Sequence, residues 1–141
     1  MVDPHFWFSI PLYKKAAEKA AQSLSQLVPE HEKEIRANLA NYLKKLDELD
    51  AEIQAKIEEI PPENRNLVTP HDAFNYFSKR YGMKVVAPQG VSTNSEVANA
   101  DIEKTADFIV SHRVKAVFAE STTNPERMKK LQEVCKTKGF D

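Results

Sequence analysis

One histidine and one glutamate stand where a ligand site is expected in an α/β fold. His71 and Glu120 each follow a short apolar segment that predicts a strand, at 66–69 and at 115–119. Parallel α/β sheets bind ligands at the carboxyl ends of their strands. Both side chains are therefore candidate ligands, although a polar residue that leaves a buried strand also commonly caps the next helix.

A second histidine, His5, lies between the rigid Pro4 and an aromatic run, 6–8. An imidazole held beside an apolar cluster can be a neutral nitrogen ligand when a hydrogen bond fixes its other nitrogen. The alternative is a partly buried histidine bonded to backbone. This segment taken alone favours the second interpretation.

The remaining histidines and the cysteine fit structural roles. His31 and His112 are predicted at the start and end of helices, on the surface, and Cys135 lies among apolar residues of the last predicted helix, as a buried hydrophobe would. No His-Glu-x-x-His or similar compact motif of a metallohydrolase occurs, so we assign no catalytic residue. With only three glycines, the chain has no glycine-rich phosphate loop.

Size and charge narrow the class further. The 141 residues, 41% of them hydrophobic, suffice for one compact unit with its own core. Twenty basic and 21 acidic side chains leave a formal charge of -1, which provides no field to gather nucleic acid or an anionic membrane. No apolar run reaches the ~18 residues of a membrane span, and the start of the chain does not resemble a signal peptide.

The elements that must position these side chains begin with two helices. Alanines and leucines at helical spacing predict a first helix over 10–28. Over 31–60, apolar residues recur every three or four positions and predict one amphipathic helix of about 45 Å. Such a helix either connects two bodies or pairs with another helix, and a coiled coil is the alternative. Pro61 and Pro62 end it.

From residue 61 onwards, predicted strands and helices alternate, which implies a parallel sheet of at least three strands. The strands are expected at 66–69, 83–87 and 115–119, and the helices at 72–81, 101–112 and 125–138. A further strand would be expected after residue 139, so we predict a lobe that lacks its final segment.

Four segments, read in order, resemble the zinc- and manganese-binding receptors of bacterial ABC importers, a family that includes metal-binding lipoproteins and surface adhesins. They are Asp-Pro-His-Phe-Trp at 3–7, Val-Thr-Pro-His-Asp-Ala-Phe at 68–74, Gln-Gly-Val-Ser-Thr at 89–93 and Phe-Ala-Glu-Ser at 118–121. The resemblance implies two α/β lobes joined by a long helix, with the metal held between them by four side chains.

On this resemblance, 1–30 is a remnant of the N-terminal lobe with a metal-ligand loop and a helix, 31–60 is the connector helix, and 61–141 is the partial C-terminal lobe. His5 and His71 match two of the four ligand positions. The other two, an early histidine and a late aspartate, have no counterpart here, so the site is expected to be incomplete. Glu120 is expected to support the site by hydrogen bonds.

The resemblance also implies a function. The expected protein is not an enzyme: it captures zinc or manganese outside the cytoplasmic membrane and delivers the ion to an ABC permease. It would be periplasmic or a cell-surface lipoprotein, attached to the membrane only through a lipid anchor. Imidazole at position 71 modestly favours zinc.

The sequence leaves three further expectations in addition to the metal-receptor function. The long amphipathic helix could serve an adhesion or interaction module. A metallohydrolase could use Glu120 as its general base. The aromatic run at 6–8 and the apolar face of the first helix are expected to form an exposed patch through which the chain self-associates.

Overall fold

The computed structural model describes residues 2–94, 97–121 and 123–140. Its helices are α1 Ile10–Leu27, α2 Glu32–Glu58, α3 Asn75–Tyr81, α4 Asn99–His112 and α5 Pro125–Thr137, and its strands are β1 Asn66–Val68 and β2 Lys84–Val86. Across these three ranges, no helix combines the length and apolar character needed to span a bilayer.

The first two helices form an antiparallel pair joined by a 3-10 turn at Pro29–His31. Lys14 Nζ on α1 lies 2.5 Å from Asp47 Oδ1 on α2. The predicted long helix is confirmed to within two residues at each end, and its 27 residues extend about 40 Å. It packs against α1 of the same chain.

A small apolar cluster joins this helix pair to α3. Ile10, Leu46 and Tyr81 are its buried members, one from each helix. Beside it, Asp50 on α2 accepts hydrogen bonds from Arg80 and from the hydroxyl of Tyr81. Apolar burial and charge pairing therefore both attach the long helix to the α/β unit that follows.

The two strands are parallel, with Leu67 opposite Val85, and α3 forms the crossover between them. Gly82 ends α3 in the left-handed conformation, at a φ of 74°, which glycine adopts without a steric penalty. The prediction that this helix begins at residue 72 is wrong. His71 instead pairs with Gln89 in a parallel bridge, so the chain is still extended there, and α3 begins three residues later.

The predicted third strand over 115–119 is also wrong as a strand, and the described residues contain a two-stranded sheet. The segment does lie beside β1, where the Phe118 N–H donates to the carbonyl of Val68 at 3.0 Å. The segment and residues of β1 together line an open cleft of about 830 Å³. One backbone hydrogen bond on one side does not make a ladder.

The core of the α/β unit is formed mainly by α4 and α5 against β1. Leu131 and Ala106 are completely buried in it. Asn124 caps α5 by accepting a hydrogen bond from the Glu126 N–H at 3.0 Å, as the Asn-Pro pair predicted. The buried members are Val68, Ile102, Ala106, Ile109, Val114, Met128, Leu131 and Cys135.

Candidate metal centre

The segment that carries His5 is held by the aspartate two residues before it. Asp3 Oδ1 lies 2.9 Å from the backbone nitrogen of His5 and 2.7 Å from its ring Nδ1. Asp3 Oδ2 accepts a hydrogen bond from the side-chain amide of Asn75 at 3.2 Å. Burial raises the pKa of Asp3, but the hydrogen bonds from His5 and Asn75 outweigh it and leave that pKa below its ordinary value.

The backbone around His71 is fixed by a continuation of the sheet. The Thr69 N–H donates to the carbonyl of Val86, and the Asp72 N–H donates to the carbonyl of Gln89. These bonds lie on either side of the bridge between His71 and Gln89. Position 71 is thus at the carboxyl end of β1, where the sequence pattern placed it.

Glu120 lies at the end of the segment that runs beside β1, and its side chain contacts His71. Its Oε2 lies 2.7 Å from Nδ1 of His71, and the two side chains are only 19% and 12% exposed. This contact satisfies the distance of an ion pair but lacks the alignment of a hydrogen bond. Among the described residues, His71 Nδ1 and Glu120 Oε1 are both buried without a hydrogen-bond partner.

Unsatisfied buried polar atoms of this kind cost about 1 to 3 kcal/mol each. An imidazole nitrogen and a carboxylate oxygen are both ligands for zinc, so the His71 ring and the unsatisfied Oε1 of Glu120 are the donor groups that a cation would find here. The donor atoms at this position therefore fit a divalent metal.

The two candidate histidines lie side by side. The ring centroids of His5 and His71 are 5.4 Å apart, with an interplanar angle of 62°. Trp7 packs edge-on against His5 at 5.3 Å and covers one side of its ring. Two imidazoles that are far apart in the sequence are thus neighbours in the structure. Within the described ranges, however, no group of three or more His, Cys, Asp or Glu side chains has the arrangement of a complete metal shell.

The other two histidines and the cysteine lie away from this pair, in the structural positions that the sequence predicted. His31 and His112 are exposed, and His112 stacks on Phe108 with ring centroids 4.0 Å apart. Cys135 is buried in the core, where burial raises the pKa of its thiol and keeps it protonated. None of the three contacts the histidine pair.

Asp3 is the candidate site residue that sequence reasoning missed. In the sequence it belongs to the Asp-Pro-His segment, whose histidine is the predicted ligand. The signal available was its spacing, since an aspartate two residues before a histidine can accept from that residue's N–H in an Asx-turn. The contact with Asn75 had no sequence signal.

Residues 2–139 match the family model ZnuA, described as zinc-uptake complex component A, periplasmic. The chain is 39% identical over 137 residues to the manganese-binding lipoprotein MntA of Bacillus subtilis, covering 97% of this chain and 45% of that protein. It is 37% identical over 137 residues to the zinc-binding protein TroA of Treponema pallidum, covering 97% of this chain and 44% of that protein.

Solved structures share the fold. A structure of TroA, solved to study its metal-binding specificity, matches with a TM-score of 0.97 and 55% identity, over 99% of this chain and 50% of that one. The laminin-binding protein Lmb of Streptococcus agalactiae, described as bifunctional with adhesin and metal-transporting activity, matches with a TM-score of 0.88 and 28% identity, over 95% and 51%.

The fold is thus that of one part of a two-lobed metal-binding receptor. The chain belongs to the ZnuA family of zinc-uptake components. This confirms the family resemblance and the α/β fold class predicted from the sequence. The chain spans about half the length of the curated relatives it matches.

Proposed function

We propose that this chain is part of an extracytoplasmic substrate-binding protein that captures a divalent metal ion, zinc or manganese, and delivers it to an ABC permease. The observation that carries the proposal is the meeting of His5 and His71, with ring centroids 5.4 Å apart, beside the carboxylate of Glu120. The ion is cargo that is bound and released, and no covalent bond is made or broken.

In this proposal His5 and His71 are direct ligands. Zinc takes imidazole nitrogen at about 2.0 to 2.1 Å and is usually four-coordinate, so two histidines supply half of a zinc shell. The remaining donors belong to the rest of an intact receptor of the relatives' length. The partial shell in this chain alone is expected to bind weakly.

Glu120 supports the site from the side of His71. Its Oε2 contacts His71 Nδ1 at 2.7 Å while its Oε1 has no hydrogen-bond partner in the described residues. The carboxylate lowers the electrostatic cost of bringing a dication next to the imidazoles. Two nitrogen ligands favour zinc, because oxygen-rich sets suit manganese better.

We assign the regions of the chain accordingly. Residues 1–30 belong to the N-terminal lobe and provide the His5 loop and one helix, 31–60 form the connector, and 61–141 form the C-terminal α/β lobe without its final segment. The intact receptor is periplasmic or held at the cell surface by a lipid anchor. The relative MntA is itself named a lipoprotein.

The apolar surface of the 141-residue chain supports self-association. Trp7 is 44% exposed, and Leu24 and Leu27 on α1 are 50% and 77% exposed. These side chains would gain roughly 25 cal/mol per Å² on burial against a second copy. We expect dimers or larger assemblies at micromolar concentration.

The adhesion alternative depended on a free apolar stripe along α2. That stripe is largely used inside the molecule, where Leu43, Ile53 and Ile57 pack with Leu46 in the cluster shared with α1 and α3. The packing therefore supports a connector role for this helix.

The test is metal content, metal affinity and hydrolytic turnover, measured on the intact receptor. One bound ion without turnover is the expected result. His5→Ala and His71→Ala should each weaken binding severely, and the exposed His112→Ala serves as the matched control that leaves it unchanged. Unchanged affinity in either of the first two variants would remove that residue from the site, and turnover with bound zinc would favour the hydrolase.

A further inference from the structure

Asp3 makes more contacts than a local turn requires. Its Oδ1 lies 2.9 Å from the backbone nitrogen of His5, which is an ordinary Asx-turn bond. The same oxygen also lies 2.7 Å from the ring Nδ1 of His5, and Oδ2 accepts from Asn75. The Asp3 side chain is 17% exposed and that of His5 is 12% exposed, so water competes little for these bonds.

The ring contact determines which nitrogen of His5 can bind a metal. An ionised carboxylate only accepts hydrogen bonds, so Nδ1 of His5 must carry the proton. The lone pair of a neutral imidazole is then on Nε2. A ligand histidine whose second nitrogen donates to a carboxylate is fixed both in tautomer and in ring orientation.

The other end of Asp3 reaches the unit that carries His71. Asn75 is the first residue of α3, and its side chain donates to Asp3 Oδ2 at 3.2 Å. The neighbouring Tyr76 hydroxyl donates to the carbonyl of Asp3 at 3.4 Å. Asp3 thus contacts the His5 ring and also links it to α3, the helix that begins four positions after His71.

We propose that Asp3 is the positioning residue of the histidine pair: it holds the proton of His5 on Nδ1, presents Nε2 as the ligating nitrogen, and through Asn75 sets where this ring lies relative to His71. The metal-binding part of this proposal rests on the proposed function. The tautomer of His5 follows from its contact with Asp3 and does not require a metal. Asp3 itself does not contact the ion.

The first measurement is the tautomer of His5, read from ¹⁵N chemical shifts of the 141-residue chain without metal at mildly alkaline pH. The wild-type ring should be the Nδ1–H tautomer. Asp3→Ala should shift it towards the mixture found in a free imidazole, and Asp3→Asn, which keeps an acceptor oxygen, should restore most of the Nδ1–H form. Asp47→Ala, which removes an exposed ion-paired carboxylate elsewhere, should leave the tautomer unchanged.

The second measurement is zinc titration of the same proteins and of Asn75→Leu. Loss of a residue that orients a metal-ligating histidine typically costs 10- to 100-fold in affinity, so about that loss is expected for Asp3→Ala, with a smaller loss for Asn75→Leu. A wild-type Nε2–H tautomer, or the same tautomer in wild type and Asp3→Ala, overturns the proposal. The proposal is also overturned if Asp3→Ala has unchanged zinc affinity while His5→Ala binds zinc poorly. If His5→Ala also binds normally, the proposed metal site itself is wrong.

Discussion

The junction between the long helix and the α/β unit makes a quantitative prediction about stability. Asp50 on α2 accepts from Arg80 Nε at 3.1 Å, from a second nitrogen of the same guanidinium, and from the Tyr81 hydroxyl at 2.7 Å. The Asp50 side chain is 18% exposed and Arg80 is 32% exposed. Asp50→Ala removes these bonds and leaves the buried Tyr81 hydroxyl unsatisfied.

The size of the effect follows from burial. Exposed ion pairs contribute about 0.2 to 1 kcal/mol. Breaking a fully buried pair costs about 3 to 5 kcal/mol. The Asp50 pair lies between these limits, so a loss of ~2 kcal/mol is expected. For a chain of this size, each kcal/mol corresponds to roughly 4 °C in Tm, which gives a decrease of about 8 °C.

Asp47→Ala is the matched control. It is the same substitution in the same helix, so the gain in helix propensity is the same. The wild-type Asp47 carboxylate, however, is 62% exposed and pairs with Lys14. The free energies of unfolding of the two variants, measured in urea, should differ by about 1 to 2 kcal/mol with similar m-values, because the exposed Asp47 pair itself contributes about 0.2 to 1 kcal/mol. A difference under about 0.5 kcal/mol, the usual range for surface substitutions, would refute the importance of this junction.

The same carboxylate predicts a pH dependence. Burial raises the pKa of Asp50, but hydrogen bonds from Arg80 and Tyr81 outweigh it and hold the pKa below its ordinary value. The unfolded chain therefore takes up this proton first as the pH falls. The stabilisation by Asp50 is complete above the ordinary aspartate pKa of about 3.9 and is lost as the pH falls through the lower folded value. The difference between wild type and Asp50→Ala should be constant near neutral pH and shrink in acid.

Three further predictions concern the core, the site and the surface. Leu131→Ala should lower the free energy of unfolding by about 2 to 5 kcal/mol in chemical denaturation, because the side chain is completely buried; a loss below 1 kcal/mol would contradict that packing. Glu120→Gln, which keeps the shape but removes the charge beside His71, should weaken zinc binding in calorimetric titration, and equal affinity would exclude electrostatic support by this residue. Leu24→Ser together with Leu27→Ser should shift the chain towards monomer in light scattering, whereas unchanged assembly would place the contact elsewhere.

Local patterns predicted the helices well because each signal lies within one element. The three-to-four spacing of apolar residues and the Pro61-Pro62 pair located α2 to within two residues, and Asn124-Pro125 located the start of α5. These signals arise from helix periodicity and from the missing N–H of proline, which do not depend on the rest of the fold.

The errors arose where pairing between segments decides the structure. An apolar run over 115–119 indicates burial, but in the described part of the chain a single backbone hydrogen bond joins it to β1, so it is not a strand. The helix predicted from residue 72 starts later because His71 pairs with Gln89, and nothing local to residue 72 reports that partner.

For the candidate site, too, the sequence identified the residues but not the contacts between them. The family motifs identified His5, His71 and Glu120, and strand ends alone made the last two candidates. That the rings of His5 and His71 meet, and that Asp3 reaches Asn75 on α3, depends on the packing of the first segment against the α/β unit. Such contacts have no signature in residue spacing.

X-ray absorption at the zinc K-edge of the intact receptor tests the central claim most directly, because it counts imidazole ligands around the bound ion. We expect zinc to be coordinated by imidazoles that include His5 and His71, at nitrogen distances of about 2.0 to 2.1 Å. Each alanine variant that still retains zinc should have one imidazole fewer, and His112→Ala should have the wild-type number. An unchanged imidazole count in either His5→Ala or His71→Ala would contradict the assignment of this histidine pair as the metal centre.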